Sequence, residues 1–354
     1  MKPDISVIMS VYNGEAYLEE AIESVRNQTF QNWELIVIND CSTDSTADIL
    51  AGLSHKDERI KVHTNEVNLK LPTSLNKAVS LACGKYIARM DADDICLPER
   101  LEKQYGFMEK NSDVALSSCR FLTLKNGVYA SGGAGGRCDN DSLKAMLLVA
   151  NPILHPGVIA KAEVMKELNY DTTLTCTEDL ELWTRMVMGG QKIEILPECL
   201  LIYRLHDKQI TSTTLERQHT EVLRIQNRYY NTLLREMSEE MQRFYIDNIY
   251  FKENASINKY LEYAKWLRST NTGNFKKNAV NYALLEILAE YKRKGVSKSD
   301  VIKAMLKFNP FFLAKEILRR KKAAKNDIKK CRKAAATLGL KKTSGTNEYP
   351  IFEK

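Results

Sequence analysis

The acidic residues carry most of the chemistry in this 354-residue chain, and two tight clusters of them stand out. Asp91-Ala92-Asp93-Asp94 follows directly on the β-rich run Tyr86–Met90. In an extended turn the first and third of these carboxylates point the same way, which suits a divalent cation that must also hold phosphate oxygens. Mg²⁺ or Mn²⁺ takes such hard oxygen ligands and keeps positions open for a substrate. The same acids would also serve to cap the helix expected near Pro98 and Glu99. Glu178-Asp179, the second cluster, lies near the start of a helix through Trp183 and Met186. Acidic groups stabilise a first helical turn, and Thr175 and Glu178 have capping-box spacing. A carboxylate held on such a rigid platform also suits taking the proton from a poorly nucleophilic hydroxyl.

Positioning these groups falls to an alternation of strand and helix signals. Ile5–Val11 is short, apolar and β-rich. Tyr17–Val25 places Leu18, Ala21, Ile22 and Val25 at helical spacing, and Glu34–Ile38 is again β-branched. A helix at Thr46–Leu53, a strand around Ile60–His63, a helix at Thr73–Ala82 and a strand at Tyr86–Met90 follow. Strands joined by helices imply an α/β fold with a mostly parallel sheet, whose strand ends at the carboxyl side form the ligand crevice. Tyr12-Asn13, Asn39-Asp40 and Asp91–Asp94 all fall at such ends.

From about Leu215 the pattern becomes helical. Val222, Leu223, Gln226, Tyr229, Tyr230, Leu233, Leu234 and Met237 share a face, and Ala279–Tyr291 and Val301–Phe308 form further helices. Between Lys315 and Lys342 twelve Lys or Arg face only Glu316 and Asp327, which leaves residues 1–314 close to neutral despite the net charge of +7. That distribution gives no basic face for nucleic acid. Phe311–Leu340 also carries a loose apolar stripe, a pattern that suits a basic helix on an anionic membrane surface or, equally, a solvated or disordered tail. The eight cysteines form no CxxC pair and read as small buried hydrophobes in a reducing compartment. With neither a signal-peptide pattern nor a run of some 20 apolar residues, the expected location is cytoplasmic, at most peripheral on the inner face of the cell membrane.

Five fragments taken in order resemble the family 2 glycosyltransferases of the kind that build bacterial cell-surface polysaccharides: Ile5–Gly14, Glu34–Asp44, Gly84–Asp94, Cys176–Trp183 and Tyr203–His206. Each alone is weak, but their order is specific, and the resemblance covers about residues 4 to 212. It implies a GT-A domain over residues 1–212, a nucleotide-sugar donor, a divalent metal (Mn²⁺ or Mg²⁺) and inversion at the anomeric carbon. It also implies that Val11 and Tyr12 lie against the nucleoside, that Asp40 accepts from the base (as for uracil), and that Asp91 contacts the ribose or supports the metal. Asp93 would be the main metal ligand, Asp179 the base, and Glu178 a neighbour orienting donor or acceptor. Arg204 would pair with phosphate, while His206 completes the metal shell or touches the diphosphate. Residues 213–310 would form a helical region and 311–354 a basic amphipathic or disordered tail. Cys41 stands where relatives commonly have Gly, so a positive φ there would carry a modest strain.

The expected activity is transfer of a sugar from a UDP-sugar to a hydroxyl of a glycan or lipid-linked acceptor. Two other readings compete with it. A sugar nucleotidyltransferase would need a Gly-rich, basic loop after the first strand, where Tyr12-Asn13-Gly14-Glu15 stands instead. A non-catalytic scaffold or surface-binding protein of the same fold would show loss of a metal or base carboxylate, and none is lost. A dehydrogenase is excluded by the absence of a GxGxxG turn.

Overall fold

The computed structural model describes residues 2–353 except 133–138, 208–214, 235–237, 252–255, 309 and 346–349. The expected alternation is present from the start: β1 (Ile5–Val11), α1 (Leu18–Arg26), β2 (Trp33–Asn39), α2 (Thr46–Lys56), β3 (Ile60–Thr64), α3 (Leu71–Leu81) and β4 (Tyr86–Arg89). β1 lies parallel between β2 and β4, and β3 extends the sheet beyond β2. Side chains of successive strand residues point to opposite faces, so β1 feeds two cores. Ile5, Val7, Met9 and Val11 pack with Leu18, Ala21, Ile22 and Val25 of α1 and with Leu50 and Leu53 of α2. Ile8 packs on the other side with Ile36 and Ile38 of β2 and Leu75, Ala78 and Val79 of α3.

A buried polar knot closes the amino ends of the strands. Ser6 donates through Oγ to Glu34 Oε1 (2.5 Å) and accepts from the Gly84 N–H (2.8 Å), while Lys61 donates to Glu34 Oε2 (2.5 Å). Gly84 is required there, because a Cβ would meet the Ser6 nitrogen at 2.5 Å.

The sheet continues in a mixed half. After β4 come β5 (Ile95–Cys96), α4 (Arg100–Lys110), β6 (Val114–Lys125), β7 (Val128–Ser131), α5 (Asn140–Met146), a 3₁₀ turn at His155–Gly157, β8 (Ile159–Lys161), α6 (Ala162–Leu168), α7 (Glu178–Met188) and β9 (Lys192–Arg204). β8 joins β4 to β6 with antiparallel pairing on both sides, and the long β9 runs parallel to β6 while pairing with β5.

The helices that follow are α8 (Leu215–Leu233), α9 (Glu239–Phe244) running into a π-helical turn at Tyr245–Tyr250, α10 (Ile257–Thr270), α11 (Lys277–Arg293), α12 (Lys298–Phe308) and α13 (Pro310–Thr337). The expected stripe on α8 is buried at Val222, Gln226, Tyr229, Tyr230, Leu233 and Leu234, and Met237 lies outside the described residues. Helices α8, α10, α11 and α12 belong to the same apolar cluster as Ile8 and Ile36, with Val280, Ile287, Leu288, Val301 and Ala304 among its members. The last segment departs from a free tail. Cys331, Ala334, Ala335 and Leu340 pack with Leu122, Leu124, Tyr129 and Ile202 of the sheet, and β11 (Pro350–Glu353) pairs with β7 while β10 (Lys341–Gly345) pairs with β11. The stripe seen in sequence is therefore partly a docking face onto the protein itself. Of the seven cysteines described, Cys96, Cys119, Cys199 and Cys331 are buried as expected. Cys83 is exposed, and Cys41 and Cys176 are half-buried.

Candidate active site

The loops after β1 and β2 are stapled to each other. Asn13 accepts from the Thr43 N–H (2.8 Å) while its own N–H donates to Ser42 Oγ (2.9 Å), and the Gly14 N–H donates to Thr46 Oγ1 (2.9 Å). Val11 is buried and its carbonyl accepts from the Asp40 N–H (2.8 Å), which sets the two strand ends side by side. Tyr12, the next residue, is exposed over 52% of its surface. Asp40 is buried, and its carboxylate accepts from Asn65 Nδ2 (2.8 Å) and from the N–H groups of Leu69 (2.8 Å) and Lys70 (2.9 Å). A carboxylate offers about four acceptor positions, so Asp40 keeps capacity for one further donor such as a base N–H. Cys41 does take φ 62°, the left-handed conformation that favours Gly, and its thiol donates to the Glu66 carbonyl (3.4 Å). The strain expected from sequence is present, at a cost of roughly 1–2 kcal/mol.

The acidic turn leaves the sheet where β4 ends. Arg100 of α4, fully buried, donates to the carbonyls of Arg89 (2.7 Å) and Val158 (3.2 Å) and so fixes that exit point. Asp91, Asp93 and Asp94 each bring a carboxylate oxygen within 4.8 Å of the others. Arg89, also buried, pairs with Asp91. Burial still pushes the Asp91 carboxyl up to about 6, against the pull of Arg89 and with the push of Asp93. Asp94 is likewise raised well above its ordinary value, by burial first and then by Asp91 and Asp93. One of its oxygens accepts from the Arg204 N–H (2.9 Å), and the other, Oδ2, is buried with no partner. Three mutually repelling carboxylates with an orphaned buried oxygen fit a hard divalent cation, whose charge would reverse each upward shift.

The second acid cluster lies close enough to the first for their charges to act on each other. Asp179, in the first turn of α7, accepts from Asn151 Nδ2 (2.7 Å) and from the Leu180 N–H (2.6 Å). Burial raises its carboxyl and these two bonds oppose the rise. Its charge in turn reaches Asp91, so the two clusters share one field. Glu178 is buried, with Oε2 unpartnered and Oε1 3.8 Å from His155 Nδ1. Burial, then the neighbouring Asp179, push Glu178 up to about 8. His155 is held neutral by burial and by Arg89, and its Nε2 lies 2.9 Å from the Tyr170 hydroxyl. The capping box suggested by Thr175 and Glu178 does not form. Thr177 is the residue before the helix, and the Thr175 side chain bonds elsewhere, to Glu221.

The strand end of β9 completes the rim. Arg204 donates to the Asp93 carbonyl (2.8 Å) and to Glu20 (2.5 Å), with its guanidinium 4.5 Å from the centre of the Tyr17 ring. His206 Nε2 lies 2.9 Å from Asp93 Oδ2. A cavity of about 390 Å³ opens beside them, lined by Tyr17, Glu20, Tyr129, Arg204 and His206 among others. Arg204 is thus engaged within the protein, and His206 addresses the carboxylate expected to hold the metal.

With this geometry in place, the relatives are informative. The profile described as Glycosyl transferase family 2 matches residues 6–155. An uncharacterized glycosyltransferase of Methanocaldococcus jannaschii is 36% identical over 220 residues, 61% of this chain and 76% of that protein. The chain belongs to glycosyl transferase family 2. A second relative, the O-antigen biosynthesis glycosyltransferase WbnJ of Escherichia coli, is 34% identical over 60% of this chain and 83% of its own. Among solved structures, Staphylococcus aureus TarS 1–349 in complex with UDP-GlcNAc superposes with a TM-score of 0.55 at 17% identity, covering 99% of each chain. The mannosyltransferase PcManGT of Pyrobaculum calidifontis, in complex with GDP-Man and Mn²⁺, gives 0.51 at 16% over 90% and 84%. The fold is GT-A with a helical C-terminal region, and family membership makes the protein a nucleotide-sugar-dependent glycosyltransferase.

Several residues of this glycosyltransferase site escape a reading of sequence. Arg89 hides as a charge inside the buried strand YIAR, and Asn151 and Tyr170 sit in no motif. The one legible hint was Arg89 itself, since a fully buried charge needs a partner. The raised Glu178 also yields an expectation. A carboxyl that binds its proton more tightly when folded stabilises the fold below its ordinary value of 4.5 and loses that contribution as pH rises through about 8. Glu178→Gln, a neutral isostere, should keep near-normal turnover at pH 7 and show a flatter urea midpoint between pH 5 and 8, values taken as approximate bounds of that titration. A slope equal to that of the wild type would rule out a protonated Glu178.

Proposed function

We propose that the protein is an inverting transferase that moves a sugar from a UDP-sugar to a hydroxyl of a glycan or lipid-linked acceptor, with Asp179 as general base. The observation that supports this reading is a half-buried Asp179, bonded to Asn151 and the Leu180 N–H, whose charge acts on Asp91. Val11, Tyr12 and Asp40 would hold the nucleoside, with Asp91 at the ribose or the metal. Asp93 with Asp91, Asp94 and His206 would hold Mn²⁺ or Mg²⁺, which when bound supplies positive charge for the departing diphosphate. Arg204 lies on the same rim, available to the phosphates after a change of partner.

The chemical step then follows from the chain's own groups. The acceptor hydroxyl gives its proton to Asp179 as its oxygen forms a bond to the anomeric carbon. The bond from that carbon to the diphosphate oxygen breaks, and its electron pair leaves with the nucleotide. Attack and departure occupy opposite faces, so one displacement inverts the centre. A protonated Glu178 beside Asp179 keeps the negative charge of the pair on the base, as pairs of carboxyls with separated affinities do.

The reported complexes of TarS with UDP-GlcNAc and of PcManGT with GDP-Man and Mn²⁺ support a nucleoside-diphosphate donor and a metal. We assign residues 1–212 to donor binding and catalysis and 213–310 to a bracing helical region. Residues 311–354 would meet an anionic membrane through exposed Lys315, Leu318, Lys322, Lys325 and Lys329. Among the described residues no helix is long and apolar enough to cross a membrane. The test is release of nucleoside diphosphate from a panel of UDP- and GDP-sugars with Mn²⁺, using lipid-linked saccharides in neutral and in anionic vesicles. Acceptor-dependent release from one UDP-sugar, faster on anionic vesicles, is expected; GDP-sugar use alone, or no turnover at all, would overturn the reading.

A further inference from the structure

The loop that delivers Asp179 is held by a residue from the helical region. Glu221 of α8 is buried, and its carboxylate receives four bonds from three consecutive residues. Oε1 accepts from the Thr175 N–H (3.1 Å) and the Thr175 hydroxyl (3.1 Å). Oε2 accepts from the Thr177 hydroxyl (2.7 Å) and the Cys176 thiol (3.3 Å). Thr177 is the residue before α7, where a threonine hydroxyl ordinarily caps its own helix; here it makes no such bond and points at Glu221 instead. Arg224 and Arg228, one and two turns further along α8, reach Asp171 (3.3 Å) and Glu181 (2.5 Å). One face of α8 therefore grips the chain on both sides of Glu178-Asp179. Burial opposes ionisation of Glu221, but the bonds from Thr177, Cys176 and Thr175 outweigh it and hold the carboxyl below its ordinary range.

We propose that Glu221 is a positioning residue for the transfer reaction, setting the height and rotation of the first turn of α7 and thereby the aim of Asp179 at the acceptor hydroxyl. The proposal rests on Asp179 acting as the base. Aim matters because a displacement of about 1 Å in a reacting geometry costs around 10²-fold in rate. Glu221 lies past the fragments that carry the family resemblance, so the helical region contributes to catalysis as well as to packing.

The test is Glu221→Gln in the full chain, with Glu221→Asp as a second variant should the first fail to fold. Glutamine keeps one acceptor oxygen and replaces the other with an N–H₂ group that cannot accept from Thr177 and Cys176. Amide hydrogen exchange over 175–180 should rise about 10-fold while exchange over 91–94 stays unchanged, in line with a loosened local unit. The kcat should fall roughly 10- to 100-fold, with KM for the donor and Kd for UDP within about twofold of wild type. Unchanged exchange over 175–180 would overturn the proposal whether or not the wild type turns over. An equal loss of donor affinity would overturn it too, by making Glu221 a general structural support. A changed exchange with a wild type inert toward every donor would leave the grip on the loop standing and refute the transferase reading on which its catalytic meaning rests.

Discussion

Asp179→Asn should bind UDP and the donor as the wild type does and lose about 10²- to 10⁴-fold in turnover, the share assigned to a positioned general base. Asparagine keeps the shape of aspartate and one acceptor oxygen, which can take the Leu180 N–H, whereas its amide nitrogen cannot accept from Asn151 unless Asn151 turns its own amide and gives up the Ile153 N–H. What it lacks is any site for the acceptor's proton. Donor affinity should survive because the expected nucleoside contacts at Val11, Tyr12 and Asp40 come from the ends of β1 and β2. Isothermal titration with UDP and steady-state rates at saturating donor and acceptor separate the two effects. A variant that keeps more than about a tenth of the rate would mean that another group takes the proton.

Asp93→Ala is expected to abolish the Mn²⁺-dependent gain in UDP affinity and to lower turnover at least as far as the base substitution does. The wild type should bind UDP more tightly with Mn²⁺ than without; the variant should show no difference. The Arg204 anchor should outlast the change, because Arg204 bonds to the backbone carbonyl of Asp93. The same substitution has an opposite effect on stability. Burial, together with Asp93, pushes Asp91 and Asp94 up, so deleting one of three crowded acids relieves the others. Without metal the variant should melt at a higher temperature than the wild type, as sites strained for function commonly do when dismantled. Retained Mn²⁺ dependence would remove Asp93 from the ligand set, and a lower melting temperature in EDTA would contradict the electrostatic argument.

The first half of the sheet was legible because its signals are local. The burial of Leu18, Ala21, Ile22 and Val25 on α1 follows directly from their spacing, and the apolar runs of β1 and β2 announce strands covered on both faces. The acids at the strand ends were legible for the same reason. Their partners were not. Asp40 is held by Asn65, Leu69 and Lys70, Asp179 by Asn151, and the loop before α7 by Glu221, each from a distant part of the chain and from residue types that are common at any surface. Two-residue β5 and three-residue β8 are too short to show a period. The polar stretch KKTSG becomes β10 only because β11 offers it an edge, so its strand character is tertiary.

The core shared between the sheet and the late helices also matters while the protein is being made. Ile8, Ile36, Ile38 and Leu75 leave the ribosome long before Val280, Ile287 and Val301, the residues that complete their apolar cluster. At translation speeds of about 5–20 residues per second, the gap from the end of β9 to α12 corresponds to roughly 5–20 s. Throughout that interval one side of the nascent sheet is incompletely covered, so chaperone demand should be concentrated in the second half of synthesis, after the catalytic motifs have emerged but before their supporting helices have.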